Sequence, residues 1–417
     1  MYKKGPASKA GLLIGDKIIS IGKETIIGYD NDKVYSILRE NSGRHVKVTV
    51  SRNKNILNFK IKRGNVFLPS IDTYYKLNDT IGYISVNRFS ETTMREFSDA
   101  FSKMKKIKVL MLDMRGNVGG AISEAIKLSN FFLKKGTLLG SVKGKSVPVQ
   151  QYISANDSQF DGKLIVLSDE NSASACELFL GAVQDWDRAV IVGRRSFGKA
   201  MILQSFSLSD GSMIEVTQTY NYTPSGRTIQ RHYEKHKKED YNNEILKRFS
   251  ENFIDSIDYK SSEYKTLRLG RSVYGDGGIF PDFYVKHPDS ILNSYTFELV
   301  KNSIFDTYVG IYVGKNRAEL LRKYPSFQSF NKSFIVTSQI IEEIVKYAEE
   351  KGIPCDTIRL KKTENYIKIR LKAMIAKALW DKKEAFMVFE SFDPDIKRAL
   401  EVLDNWDELI CLRSQIW

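Results

Sequence analysis

The sequence predicts an α/β core flanked by a small β-rich module and a mostly helical tail. Three observations carry that expectation. The continuous apolar runs "KVLMLDM" and "KLIVLSD" read as buried parallel strands, each followed by a small-residue turn and a helix. Within the first 65 residues, "HVKVTVSR" alternates with period two. Beyond about residue 290, "IIEEIVKYAEEKG" and "ENYIKIRLKAMIAKALWDKKEAFMVF" show helical spacing and little β signal. A chain of 417 residues is too long for one ordinary core. The expected partition is 1–65, 66–290 and 291–417.

Each element has a local reason. "GPASKAGLLIGDKIISI" gives a turn and short helix, then a Gly-Asp turn into a strand, and "DNDKVYSILREN" carries Val34 and Leu38 at helical spacing. In "HVKVTVSR", Val46, Val48 and Val50 share one face. "TIGYISVNRF" reads as a strand and "SETTMREFSDAFSKMKK" as an amphipathic helix opened by a serine cap with acidic residues in its first turns. "KVLMLDM", a glycine-rich turn and the helix "AISEAIKLSNFFLKKG" follow. "KLIVLSD", the turn "SASACE", the helix "ACELFLGAVQDW" and the strand "RAVIVG" repeat the scheme. In such an arrangement ligands gather at the carboxyl ends of the strands.

Composition excludes several function classes. Hydrophobic residues make up 42% and charged ones 27%, ordinary for a globular protein. No apolar run approaches the roughly 20 residues needed to cross a membrane, and no basic-then-apolar signal segment opens the sequence. The net charge of +14 invites a nucleic-acid reading. Yet the basic clusters are short, scattered and without an aromatic or glycine motif, so a solvated basic surface is expected and no nucleic-acid partner. Cys176, Cys355 and Cys411 form no CxxC pair, and no Cys/His cluster implies a metal. His45, His232, His236 and His287 are scattered, so serine chemistry here must recruit a distant histidine or do without one.

Three segments bear on chemistry. "DMRGNVGG" (Asp113 to Gly120) stands between a buried strand and a helix, where its glycines let backbone amides point at an anion. The alternative is an ordinary tight turn; neither GxxxxGK nor GxGxxG is present. In "SASACE" a serine is either a helix cap or an exposed nucleophile backed by a helix amide. In "VGRRSFGKAMILQSF", Lys199 lies among Phe197, Met201 and Ile202. An ammonium forced into apolar surroundings loses solvation and becomes a base near neutral pH; alternatively the side chain snorkels from a strand edge. Ser-Lys pairs are a known histidine-free variant of triad logic.

In order and spacing these pieces resemble the carboxyl-terminal processing (tail-specific) peptidases, serine proteases with a Ser-Lys dyad and an inserted PDZ domain. The family's "SASASE" stands here as "SASACE", which implies Ser174 as nucleophile. Its "FGK" stands as Phe197-Gly198-Lys199, with Lys199 following Ser174 by 25 residues, the family's separation. "QDWDRAVIVGRRSFGK" is close to the family's wording, and Asp185 falls where the family has an aspartate that organises the site. "DMRGNVGG" resembles "DLRGNPGG", whose amides form the oxyanion hole with that of the residue after the serine, implying Gly119 or Gly120 together with Ala175. "SDGSMIEVTQTYNYTPSGRTIQ" and "GDGGIFPD" also match, so the resemblance runs from residue 1 to about 290.

The resemblance implies a ClpP/crotonase-like α/β protease core, an N-terminal partial PDZ domain and a helical C-terminal domain similar to versions in Bacteroidetes-type bacteria. It further implies a serine endopeptidase acting near C termini in the periplasm or another extracytoplasmic space. Protein or peptide C-terminal tails would be its partners, no cofactor is needed, and there is room for a homo-oligomer. "GPASKAGLLIGDKIISI" resembles the family's PDZ stretch, so the loop that holds a peptide carboxylate is expected before Met1. Two residues depart from the pattern. Cys176 replaces a serine and is expected to be a buried small residue. Leu203 stands where the family has a glutamine that orients the lysine, and Gln204 comes one residue later. On a regular strand Gln204 points to the other face; a β-bulge would restore it. Without one, a catalytically impaired peptide-binding scaffold is the alternative.

Overall fold

The computed structural model describes residues 5–40, 45–52, 54–145, 147–233, 238–248, 262–287 and 293–406. His236, Cys411 and the expected boundary at 290/291 lie outside them.

The N-terminal module comprises α1 (Pro6–Lys9), β1 (Lys17–Ile21), β2 (Glu24–Thr25), α2 (Asn31–Glu40), β3 (His45–Arg52) and β4 (Asn55–Lys62). Its antiparallel sheet has the order β2-β1-β3-β4. As the alternation predicts, Val46, Val48 and Val50 point inward, against Leu12, Ile21 and Ile37.

The α/β core begins with β5 (Ile71–Lys76), β6 (Ile81–Val86), α3 (Thr93–Ser102), β7 (Val109–Asp113) and α4 (Ile122–Phe132). It continues with β8 (Leu138–Lys143), β9 (Gln150–Ile153), β10 (Lys163–Ser168), α5 (Ala175–Asp185) and β11 (Val190–Gly193). Then come β12 (Met201–Ser207), β13 (Met213–Tyr222), α6 (Lys238–Lys247), β14 (Glu263–Lys265), β15 (Ser272–Tyr274) and β16 (Phe283–Tyr284). The helical segments are α7 (Ser294–Lys301), α8 (Ile304–Lys323), α9 (Phe327–Ser333), α10 (Ser338–Glu350), α11 (Thr357–Leu379), α12 (Lys382–Phe389) and α13 (Pro394–Asp404). Helix α3 starts after Thr92 rather than at Ser90, whose hydroxyl instead pairs with that of Ser70 at 2.6 Å.

The central sheet has the order β16-β11-β10-β7-β6-β5, parallel except for the β5 edge. Every β6 and β11 residue is buried, as a sheet covered on both faces requires. From β6 to β16 the strands follow chain order without reversal. Right-handed crossovers in one direction put the intervening helices on one face. There α3, α4 and α5 cover Ile84, Leu110, Leu112, Leu164, Val166 and Ile191 with a cluster that includes Phe97, Phe131, Phe132 and Phe179. The alternate residues, among them Met111, Ile165, Leu167 and Val192, are equally buried and need a second cover.

Helix α13 supplies it across β10 and β11, burying Ile396, Ala399 and Val402. Electrostatics fix its start. Asp393 caps it, accepting from the amides of Asp395 and Ile396. Asp395, 1% exposed, receives Arg194 Nη1 and Arg115 Nη1, each at 2.8 Å, while Arg115 Nη2 reaches Asp393 at 2.8 Å. Burial alone would raise the Asp393 carboxyl; Arg115 beside it holds it below its ordinary value.

One compact unit joins the N-terminal module to α7–α12, and the other joins the α/β core to α13. This departs from the expected three-way partition, because helical periodicity in α13 is indistinguishable from that of its neighbours in sequence. In the first unit Gly15, at φ +101°, lies against α8, where an added Cβ would meet Gly310 O at 2.4 Å. Helices α7–α12 share their own core around Phe305, Val313, Phe330, Leu371 and Ile375.

Asp395→Ala removes a buried acid shared by two arginines, a loss that costs about 3–5 kcal/mol in comparable pairs. Urea denaturation is expected to show a correspondingly lower midpoint; an unchanged midpoint would mean that α13 is dispensable to the core.

Candidate active site

The site is built from three strand-end turns. The first, after β7, carries Asn117, Gly119 and Gly120. Asn117 is fully buried; its Oδ1 accepts from the Gly119 amide at 2.9 Å and its Nδ2 donates to Val86 O at 3.0 Å. Its own carbonyl receives the Ala173 amide at 2.9 Å, which stitches this turn to the next. Gly119 has φ +93°, and an added Cβ would come within 2.6 Å of Ala173 O and 2.8 Å of Ser174 Cβ. No other residue fits there.

The second turn, after β10, holds Ser174 at φ 58° and ψ −120°. A serine in this region is strained, and such strain persists only where surrounding structure over-determines it. The turn runs from the end of β10 straight into α5, the strand-to-helix geometry of a nucleophile elbow, and Ser174 also closes a capping box with Glu177. Ala175 begins α5, so its amide is among those a helix N-terminus leaves unpaired. Among the described residues neither the Ala175 nor the Gly120 amide has a hydrogen-bond acceptor, whereas that of Gly119 is taken by Asn117. Of the two glycines expected at the anion site, Gly120 is therefore the one with a free donor.

The third turn, between β11 and β12, carries Lys199, which is half-buried. What joins it to Ser174 is Glu177, the last residue of "SASACE". Its carboxylate is fully buried. Oε2 accepts from the amides of Ser174 and Lys199, both at 2.8 Å, and Oε1 from the Gly198 amide and Ser196 Oγ, both at 2.6 Å. Two amides on one oxygen place those backbone nitrogens within twice that distance of each other. Burial pushes the Glu177 carboxyl above its ordinary value, against the pull of Ser196, Lys199, Gly198 and Ser174. The S-x-x-E spacing of a capping box was the available signal in the sequence.

Asp185 lies at the far end of α5 from Ser174, fully buried in an ion pair with Arg227 at 2.7 Å. It also accepts the Ser225 amide at 2.9 Å, so it fixes the segment leading to Gln230. Gln230 Oε1 in turn receives the amides of Ala200 and Met201 at 2.9 and 3.1 Å. Asp185 thus reaches the Lys199 turn through a buried relay rather than by touching it.

Leu203 and Gln204 are both exposed on β12, an edge strand. A bulge does occur, between Ile202 and Leu203, but the extra residue is Gln218 on β13. Leu203 and Gln204 remain consecutive and pair with the consecutive residues Thr217 and Val216, so the bulge does not bring Gln204 onto the face of its predecessor. Among the described residues no hydrogen bond joins Gln204 to Lys199. Cys176 is fully buried, and burial followed by the neighbouring Glu177 charge pushes its thiol far up, away from thiolate chemistry. Among the described residues no group of three or more His, Cys, Asp or Glu could hold a metal ion, and no helix is long and apolar enough to cross a membrane.

Three segments of the chain match known families, and the middle one contains this site. Residues 80–239 match the model of "Peptidase family S41", residues 1–52 that of a PDZ domain, and residues 295–381 a family of unknown function. A "Probable CtpA-like serine protease" of Staphylococcus aureus is 33% identical over 284 residues, 66% of this chain and 56% of the relative. Its counterpart in Staphylococcus haemolyticus is 33% identical over 231 residues, 54% of this chain and 46% of the relative. The chain therefore spans about half the length of the curated relatives it matches. The solved structure of a photosystem II D1 C-terminal processing protease covers 54% of this chain, and the match 63% of that one, at 25% identity and a TM-score of 0.37.

Glu177→Gln leaves one acceptor oxygen where four donors converge. Hydrogen bonds to charged groups contribute roughly 1.5–3 kcal/mol each, and at least two would be lost. Guanidinium denaturation is expected to show a drop of several kcal/mol, and wild-type stability in this variant would remove Glu177 from its structural role.

Proposed function

With residues 80–239 matching the model of peptidase family S41 and residues 1–52 that of a PDZ domain, we propose that this chain is a serine endopeptidase that cleaves proteins near their C termini through a Ser174–Lys199 dyad. The observation that carries the dyad is the shared Glu177 oxygen, which draws the backbones of the two residues together at the carboxyl ends of the strands.

In the proposed mechanism Ser174 Oγ attacks the scissile carbonyl while Lys199 Nζ takes its proton. The tetrahedral oxyanion accepts hydrogen bonds from the Gly120 and Ala175 amides, each worth about 3 kcal/mol in such sites. Collapse expels the C-terminal fragment as an amine, protonated by Lys199, and leaves an acyl ester on Ser174. Water, deprotonated by Lys199, then hydrolyses the ester and returns the proton to Ser174. Asp185 acts as a positioning residue through Arg227 and Gln230. Partner tails and an extracytoplasmic compartment follow from the resemblance to carboxyl-terminal processing peptidases, and no cofactor enters the reaction.

One observation favours a second reading. Leu203 holds the place of the glutamine that orients the lysine in related peptidases, and Gln204 makes no bond to Lys199. An impaired, tail-binding scaffold on the same fold would also show these features. Labelling by a fluorophosphonate separates the two: modification of Ser174 supports the enzyme, and inertness supports the scaffold.

Ser174→Ala and Lys199→Ala are each expected to abolish cleavage of an unstructured tail peptide, and turnover retained in either would sink the dyad. Leu203→Gln is expected to raise kcat severalfold with little change in KM if the missing partner limits Lys199. A fall in kcat would show that Leu203 serves the site as it stands.

A further inference from the structure

A recess in the α/β core lies at the opposite end of the strands from Ser174. It has a volume of about 660 Å³ and is bordered by Lys163 at the start of β10 and Val190 at the start of β11. That size falls within the range of small-ligand sites. Its walls are apolar: Phe132 and Ala189 are buried, and the indoles of Trp186 and Trp406 are half-buried.

Its charges do not balance. Arg271 is neutralised internally by Asp187 and Asp282, both at 2.6 Å. The remaining cations of the lining are Lys134, Lys163, Arg188 and Arg268, and among the described residues none forms an ion pair. Asp161 is the one other acidic residue in the lining; it is exposed, and its charge acts on Arg188 without bonding to it. Arg188 is held rigidly, with Nε donating to Phe132 O at 3.0 Å, Nη2 to Phe160 O, and its guanidinium 5.7 Å from the Phe132 ring centre. Lys163 Nζ lies 5.2 Å from the Trp406 ring centre. A half-buried guanidinium fixed by carbonyls, with no acid bonded to it, gains most from an anion that arrives with its own apolar cover.

We propose that this recess binds a small amphipathic carboxylate, an acid whose apolar or aromatic body sits between the two indoles while its carboxylate meets Arg188, Lys163 and Arg268. The site is separate from the Ser174 turn and stands whether or not the chain is a peptidase. The acid's source is either a free small molecule or the end of a polypeptide.

Tryptophan fluorescence of the full chain, titrated with N-acetyl-leucyl-phenylalanine and with its C-terminal amide, tests this. The acid is expected to bind saturably and the amide at least tenfold more weakly. Lys163→Met and Arg268→Met are each expected to weaken the acid threefold or more and leave the amide unchanged, and Trp406→Ala to weaken both. These side chains are chosen because Arg188→Met would also release the carbonyls of Phe132 and Phe160. An octapeptide with the same last two residues that binds as tightly as the dipeptide identifies chain ends as the source, and exclusion of the octapeptide identifies free acids. Equal binding of acid and amide, no saturable binding, or indifference to all three substitutions would overturn the proposal.

Discussion

The candidate site depends on one buried carboxylate. Glu177 gathers four donors from two turns that are separate in sequence, and three of them are backbone amides. Amides fix the path of the chain rather than the rotamer of a side chain, so the Ser174 and Lys199 backbones are positioned whatever rotamers their side chains take. The same bonds help to hold Ser174 at its left-handed φ. The tie has an energetic cost. Because burial raises the Glu177 carboxyl above its ordinary value, its contribution to stability is fully present below the unfolded value, 4.5, and is lost as pH rises through the elevated folded value. Near neutral pH the fold therefore carries a net electrostatic cost at this residue, which the packing around it must offset.

Two further supports act at a distance. Gln230 binds the amides of Ala200 and Met201, just past Lys199, while Glu177 binds those of Gly198 and Lys199 itself. The lysine turn is thus gripped from both sides, and Asp185 secures the Gln230 side through Arg227. On the other turn, Arg115 leads into the glycines and is clamped by Asp393 and Asp395 from the start of α13. The helix that closes the second face of the sheet is also the one that braces the glycine turn. A single element therefore links core stability to the geometry of the Gly119–Gly120 backbone.

Much of this was legible in the residues. Buried strands followed by small-residue turns located all three loops, since an apolar run without alternation has few other uses. The glycines of "DMRGNVGG" were identifiable as places of close approach, and Ser174 and Lys199 as candidates by motif and spacing. The choice between Gly119 and Gly120 was not, because it turns on where the Asn117 side chain points. Nor was the state of Gln204 on β12, because the bulge places its extra residue on the partner strand and no pattern within β12 reports it.

What the sequence by itself determined is the order of elements and the candidates for the reactive groups, both of which are written in local periodicity and short motifs. Only the tertiary structure decided which acid joins the turns, how Asp185 reaches them, and that α13 belongs to the α/β core. These are contacts between residues far apart in the chain, such as Arg115 with Asp395, 280 positions away. The physical reason is that a buried charge must find its partner wherever the fold brings one, and neither helical nor strand periodicity records which one that will be.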